Sequence, residues 1–373
     1  MDFLKKSWEN PLIKKIIIGT GIFFLIIIFL MMFVSCTSKG KKYSYEEIEK
    51  ILVQKTKQSY SKSNNLPNVN QKMEISINDL INKKLVNSIS EYTQDETTSC
   101  NAKVTIYNNN GYYLYIPNID CGDKYKSKTL YDTLIKDNLT ESGNGLYKVN
   151  DEYVFKGDNV NNYVNLGGTL YRVISINDDG TIRIIEDKRS SSNVTAWDDR
   201  YNTERKTNSG INNYYANGLS SRLRDKLISI YEGDAYSDEV KAYMVAKESC
   251  IGKRSINELE NSGIYECSVK SDPYPISVIA LYEYFRASLD SNCTGIENES
   301  CTNYNYFNDS LNNFWTITAD KDSSYKAYKL LAGSIRLNDT SNNTGLKIVT
   351  TLNHDVLINS EGNGSSTNPY VIK

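Results

Sequence analysis

The chain has 373 residues, with 43 basic against 45 acidic side chains and a formal net charge of -2. That balance, with lysines and acids interspersed, leaves no basic footprint for phosphates, so nucleic acid is not an expected partner. With one histidine beside seven cysteines and no Cys-x-x-Cys pair, a Cys/His zinc site is not expected, and no metal or cofactor is assigned.

Residues 1–15 read as a cytoplasmic tail. Residues 16–34 then run without a charge and with nothing more polar than Thr20. At about 1.5 Å per residue, a helix of this length spans roughly 30 Å, the hydrocarbon thickness of a bilayer. We take 16–35 as a single transmembrane anchor, because a cleaved signal peptide has a shorter apolar region ending in small residues. Phe33-Val34-Ser35-Cys36 offers the alternative of lipidation at Cys36. Lysines lie on both flanks (Lys14 and Lys15; Lys39, Lys41 and Lys42), so charge gives only a lean towards an internal N-terminus.

Beyond the anchor, Ser44-x-x-Glu47 is a capping box, and Ile48, Ile51 and Leu52 carry a helix to about Tyr60. Glu74–Ile77 reads as a short strand and Asp79–Ile89 as a second helix. Asn110-Gly111 is a two-residue hairpin turn between Val104–Tyr107 and Tyr112–Ile116. Residues equidistant from that turn face one another, and Cys100 and Cys121 are equidistant from it, within disulfide reach. Residues 43–125 therefore form a small α+β unit.

Residues 126–145 read as a linker with a short helix near Leu130–Ile135. From Leu146 the pattern is a strand meander with glycine turns: 153–155, 163–166, 170–176 and 181–185. Helices are expected at 211–231, 238–247 and 282–289, and further strands at 275–280, 314–318, 329–332 and 346–352. The fold class expected for 146–373, as for the whole, is α+β. Cys100, Cys121, Cys250, Cys267, Cys293 and Cys301 form an even set beyond a membrane anchor, which reads as disulfides in an oxidising compartment. Connectivity beyond the first pair stays open.

The run Asn161-Asn162-Tyr163-Val164-Asn165-Leu166-Gly167-Gly168-Thr169-Leu170-Tyr171-Arg172, with Pro275–Val278, Ala287–Asp290, Asn303–Tyr306, Trp315–Ala319 and the closing Gly362–Tyr370, resembles a family of membrane-anchored surface proteins of low-GC Gram-positive bacteria. The resemblance covers about 146–373. It implies a distantly C-type-lectin-like domain and a surface location, and no reaction. The 43–125 unit is weakly similar to the globular part of pilin-like proteins. It lacks their Gly-Phe-Thr-Leu-type processing site and the early glutamate of the apolar helix.

Catalytic signatures are sparse. His354, beside Asp355, reads as a turn residue rather than a base. Ser59-Tyr60-Ser61-Lys62 matches Ser-x-x-Lys without its partner motifs. Asp178-Asp179-Gly180 reads as a hairpin turn rather than a calcium loop. No catalytic residue is assigned. Trp197, Asp198, Asp199, Tyr201, Tyr304 and Tyr306 are the candidate ligand surface, with Tyr214, Tyr215 and Trp315 as further aromatics able to stack on sugars. The function expected is a single-pass surface protein whose external domain binds a cell-wall, glycan or protein ligand, or acts structurally. The alternatives are a tethered envelope-polymer hydrolase using Asp198 and Asp199, and a pilin-like assembly component.

Overall fold

A computed structural model describes residues 41–61, 65–97, 99–216, 218–296, 299–309, 313–359 and 361–373. The expected tail (1–15), anchor (16–35) and Cys36 lie outside the described residues. Among the described residues no helix is long and apolar enough to cross a membrane.

The chain divides into two compact units, Met1–Ile48 with Asn87–Ser99, and Glu49–Val86 with Cys100–Lys373. The expected capping box lies in the first and opens helix α1 (Tyr45–Tyr60), which from Glu49 on belongs to the second. Glu47 N donates to Ser44 Oγ at 3.2 Å, and Ser44 N donates to Glu47 Oε2 at 2.9 Å. Ser88 caps a one-turn helix, Ile89–Thr93, and the Tyr43 and Tyr92 rings meet edge to face at 5.4 Å.

The second unit also holds β1 (Lys72–Ser76), β2 (Asn101–Asn109) and β3 (Tyr112–Asp120), an antiparallel sheet in the order β1-β2-β3. Asn110 and Gly111 both hold positive φ, 57° and 95°, as a two-residue hairpin turn demands. The register that follows pairs Asn109 with Tyr112 and Asn101 with Asp120. One residue further out, Cys100 is bonded to Cys121.

Helix α2 (Leu130–Asn138) leads into β4 (Gly145–Val149), β5 (Glu152–Lys156), β6 (Tyr163–Leu166), β7 (Thr169–Ile176) and β8 (Ile182–Glu186). Next come β9 (Val194–Ala196), the hairpin β10 (Tyr215–Ala216) and β11 (Leu219–Ser220), and helix α3 (Arg222–Glu232). The chain continues through β12 (Ile276–Ser277), helix α4 (Leu281–Arg286), β13 (Asn313–Ala319), β14 (Lys326–Leu331), β15 (Ser334–Asp339), β16 (Asn343–Gly345), β17 (Val349–Leu352) and β18 (Tyr370–Val371). One sheet runs β12-β17-β8-β7-β5-β4, with β6 also on β7 and β18 parallel to β6; a second runs β15-β14-β13-β16-β9.

The expected α+β class is corrected: strand outweighs helix, 32% against 21%, and the fold is mostly β. The helical segments shorten for local reasons. The first half of 211–231 is extended and turns back as β10–β11, so α3 starts only at Arg222, where Ser221 caps it. The 238–247 segment keeps a single helical turn, Asp238–Lys241. The 79–89 segment helps form a six-residue helix, Ile77–Asn82, after which Lys84 takes φ +56°. Strands β9, β15, β16 and β18 are short or polar and add to the balance.

Sheet position explains the buried apolar runs. Along β13, Phe314 enters one core while Trp315, Ile317 and Ala319 enter a second; on β14, Tyr328 and Leu330 join the first and Ala327 the second. The run from Ile276 to Leu281 alternates in the same way. Period-two burial on both faces makes these strands a septum. The first core also takes Leu130 and Leu134 of α2, and the second takes Leu223, Leu227 and Ile230 of α3.

Two further disulfides, Cys250–Cys267 and Cys293–Cys301, close loops with little regular structure. Within the Cys250–Cys267 loop, Arg254 is fully buried against Glu266.

Candidate functional site

The second core supports a small pocket built from three pieces of chain. Trp197 is fully buried, its Nε1 donating to Thr316 O at 3.1 Å. The carbonyl of Trp197 accepts from Leu223 N at 2.9 Å, which fixes the start of α3. Arg224 and Leu227 are three residues apart and so share a helix face. Opposite them, the segments 247–251 and 269–274 run antiparallel. Tyr274 N donates to Lys247 O at 3.0 Å, Ser271 N to Ser249 O at 3.0 Å and Ile251 N to Val269 O at 2.9 Å. The Cys250–Cys267 disulfide ties this ladder at its end.

Tyr214, Arg224, Leu227, Ser249, Ser271, Asp272, Pro273, Tyr274 and Ile276 line the resulting pocket of ≈ 20 Å³, room for about one water. Leu227 and Ile276 are its apolar part. Arg224 Nη1 donates to Ser220 Oγ at 3.1 Å, and its guanidinium lies 4.9 Å from the centre of the Tyr215 ring. Tyr215 and Leu219 are about half exposed beside it, at 51% and 58%. Burial, reinforced by Glu232 and opposed by Arg224, pushes the Tyr274 hydroxyl up to about 12. Burial also raises Tyr214, again against Arg224. Both phenols therefore keep their protons at physiological pH.

The six residues expected to form a ligand surface are not brought together as one. Trp197 is core. Asp198 is fully buried, accepting from Arg200 Nε at 2.9 Å and 3.0 Å. Asp199 faces solvent and accepts from Arg222 Nε at 2.8 Å. Tyr201 is exposed, at 53%. Tyr306 is buried, with Arg172 lying 4.6 Å from its ring, while Tyr304 is exposed with φ +45°. Trp315 is core, and its Nε1 donates to Thr195 O at 3.0 Å. Of the wider set of aromatics, Tyr214 lines the pocket, and the Tyr215 ring lies against Arg224. Arg224, Ser249, Ser271 and Tyr274 were missed. The one sequence signal for them is Asp272-Pro273-Tyr274-Pro275, a tyrosine held between two prolines.

His354 stands exposed in the turn after β17. Its neighbour Asp355 accepts from Tyr107 Oη at 2.9 Å, and burial holds that carboxyl above the ordinary range. Asp179 of the expected hairpin turn accepts from Thr181 N at 3.0 Å and pairs with Lys247. Ser59 and Ser61 sit at the end of α1, and Lys62 lies outside the described residues. Among the described residues no group of three or more His, Cys, Asp or Glu side chains is placed to hold a metal ion.

A separate buried pair lies at the edge of β8. Burial raises Glu186 to about 7, against an N–H from Ile348 at 3.0 Å and the nearby Lys347; burial lowers Lys347 to about 8. From the ordinary carboxyl value up to about 7, the unfolded chain has released a proton that the folded chain keeps, so Glu186 makes stability fall as pH rises through that window. Glu186→Gln, which keeps an acceptor for Ile348, is expected to remove this fall, worth about 2–3 kcal/mol between pH 4 and pH 8. Urea unfolding at a series of pH values measures it, and a mutant curve parallel to the wild type contradicts it.

Comparison of the chain with protein-family models, curated proteins and solved structures finds no match.

Proposed function

We propose that the chain is a single-pass membrane protein, anchored by residues 16–35, whose disulfide-closed β region lies outside the cell and binds an envelope ligand through the pocket of Arg224 and Tyr274. The observation that carries this reading is the pocket itself. It has donor groups and an apolar floor, and the half-exposed Tyr215 ring lies against its Arg224. Three disulfides suit an oxidising compartment, and the resemblance to membrane-anchored surface proteins points to the same location.

Tyr215 belongs to a two-residue strand and is half exposed, so Tyr215→Ala removes ligand contact with little loss of core. Full-length protein in detergent is expected to co-sediment with isolated cell-wall fragments, and Tyr215→Ala to raise the Kd for them about ten-fold, a loss of roughly 1.4 kcal/mol. Absence of co-sedimentation, or equal retention of the two proteins, contradicts the reading.

A further inference from the structure

We infer that the exposed lysine face of helix α1, where Lys57 meets Lys83 and Lys84, lies on the anionic lipid headgroups of the membrane that anchors the chain. The inference rests on the membrane anchor of the reading above and is independent of its pocket. Its ground is where the charges stand. The chain is close to neutral as a whole, yet between Glu49 and Glu74 the sequence holds Lys50, Lys55, Lys57, Lys62 and Lys72 and no acid. In the folded chain Lys50, Gln54, Lys57 and Ser61 are all exposed, and steps of three and four place them along one side of the helix. Glu49 faces the other way. It is buried and accepts from Tyr125 Oη at 2.8 Å, Ser127 Oγ at 2.6 Å and Lys373 Nζ at 3.0 Å.

A second segment brings two more cations to the end of this face. Lys83 Nζ donates to Tyr60 Oη and lies 4.2 Å from the centre of its ring. Tyr60 is three residues from Lys57, and Lys57 Nζ lies 5.5 Å from the centre of the Tyr115 ring. Lys83 and Lys84 are both exposed in the turn after the helix Ile77–Asn82. A lysine in the last turn of a helix is an ordinary complement to its dipole. That accounts for Lys57, and not for two lysines delivered there by another segment. Asp79, four residues before Lys83, is already committed, accepting from Ser76 N at 3.2 Å and Ser76 Oγ at 2.7 Å. Like charges gathered in this way repel one another, and an anionic surface offsets the repulsion.

The tether selects the partner. Residues 36–44 separate the anchor from α1 and extend at most about 30 Å, and Lys57 lies about 18 Å further along the helix. The face therefore meets the bilayer as an intramolecular partner, at high effective concentration, whereas a soluble polymer has to be captured from solution. Anionic headgroups offer a field of charge that exposed, long-armed lysines fit.

Full-length protein is reconstituted into nanodiscs of phosphatidylcholine alone, or of phosphatidylcholine and phosphatidylglycerol in equal parts, and its lysines are acetylated briefly with an amine-reactive ester. Mass spectrometry after proteolysis gives each rate relative to Lys148 and Lys206, which are exposed elsewhere on the chain. Lys57, Lys83 and Lys84 are expected to react about five-fold more slowly in the anionic discs, and about 1 M salt to abolish the difference. In Lys57→Glu/Lys84→Glu protein of unchanged circular dichroism, the protection of Lys83 should be lost. Equal relative rates in the two discs overturn the inference. So does protection that is equally strong in neutral discs, that survives salt, or that the double variant retains. Protection by added polyphosphate in neutral discs, with none in anionic discs, assigns the face to a soluble polymer and overturns the membrane assignment. Protein that fails to co-elute with either disc overturns the anchor and the inference with it; co-elution without protection overturns the inference alone.

Discussion

Arg254→Met is expected to destabilise the protein by about 3–5 kcal/mol, the cost of leaving a buried carboxylate without its partner. Arg254 and Glu266 are both fully buried, with Nη1 at 3.1 Å and 3.2 Å from the two carboxylate oxygens. Nη2 donates to the carbonyls of Glu258, at 2.8 Å, and Glu260. The guanidinium lies 4.8 Å from the centre of the Phe285 ring. The main chain of Arg254 is held as well: its N–H donates to Ala319 O at 3.0 Å, and its carbonyl accepts from Tyr328 Oη at 3.1 Å. One side chain thus gathers an irregular loop and fastens it to the β13–β14 septum. Glu266→Gln in the Arg254→Met background removes the stranded charge, so the double mutant should recover part of the loss. Urea unfolding of the two single mutants and the double mutant measures the coupling; additive losses contradict a paired site.

Trp197→Ala is expected to cost about 3–5 kcal/mol, as for other large aromatic side chains removed from a core. Trp197 lies between β9 and α3, and its ring meets Tyr214 edge to face at 6.3 Å. Its loss leaves the Thr316 carbonyl without this donor and withdraws support from a pocket wall, so stability and ligand binding should fall together. Trp197→Phe keeps most of the volume and loses the Nε1 donor, for a smaller cost of about 1–2 kcal/mol. If Trp197→Ala unfolds at the wild-type urea midpoint, the indole does not hold the second core together.

The local grammar of the chain was legible where chemistry is local. Ser44 and Glu47 cap α1 because the pattern needs only its own four residues. Asn110-Gly111 dictates a turn, the turn dictates the β2–β3 register, and the register brings Cys100 to Cys121. The strands 163–166 and 170–176 could be read because alternation and Gly167-Gly168 mark them; the second starts one residue earlier, at Thr169. The balance of strand and helix was not legible. Leu219, Leu223 and Leu227 recur at four-residue steps, as in a helix, yet Leu219 is an exposed strand residue and only the other two enter the core. Periodicity records which residues are apolar and not which are buried. The same gap separates the expected ligand surface from the pocket. Trp197 and Tyr306 looked like binding aromatics and serve as core. Arg224 and Tyr274, far apart in sequence, meet only through the pairing of 247–251 with 269–274.

Maleimide labelling of intact cells, with and without a membrane-impermeant reductant, tests most directly whether the domain is oxidised and outside the membrane, as proposed. Cys100, Cys121, Cys250, Cys267, Cys293 and Cys301 are expected to label only after reduction, and to do so without lysis. Labelling that requires lysis but no reductant would place free thiols inside the cell and contradict the proposal.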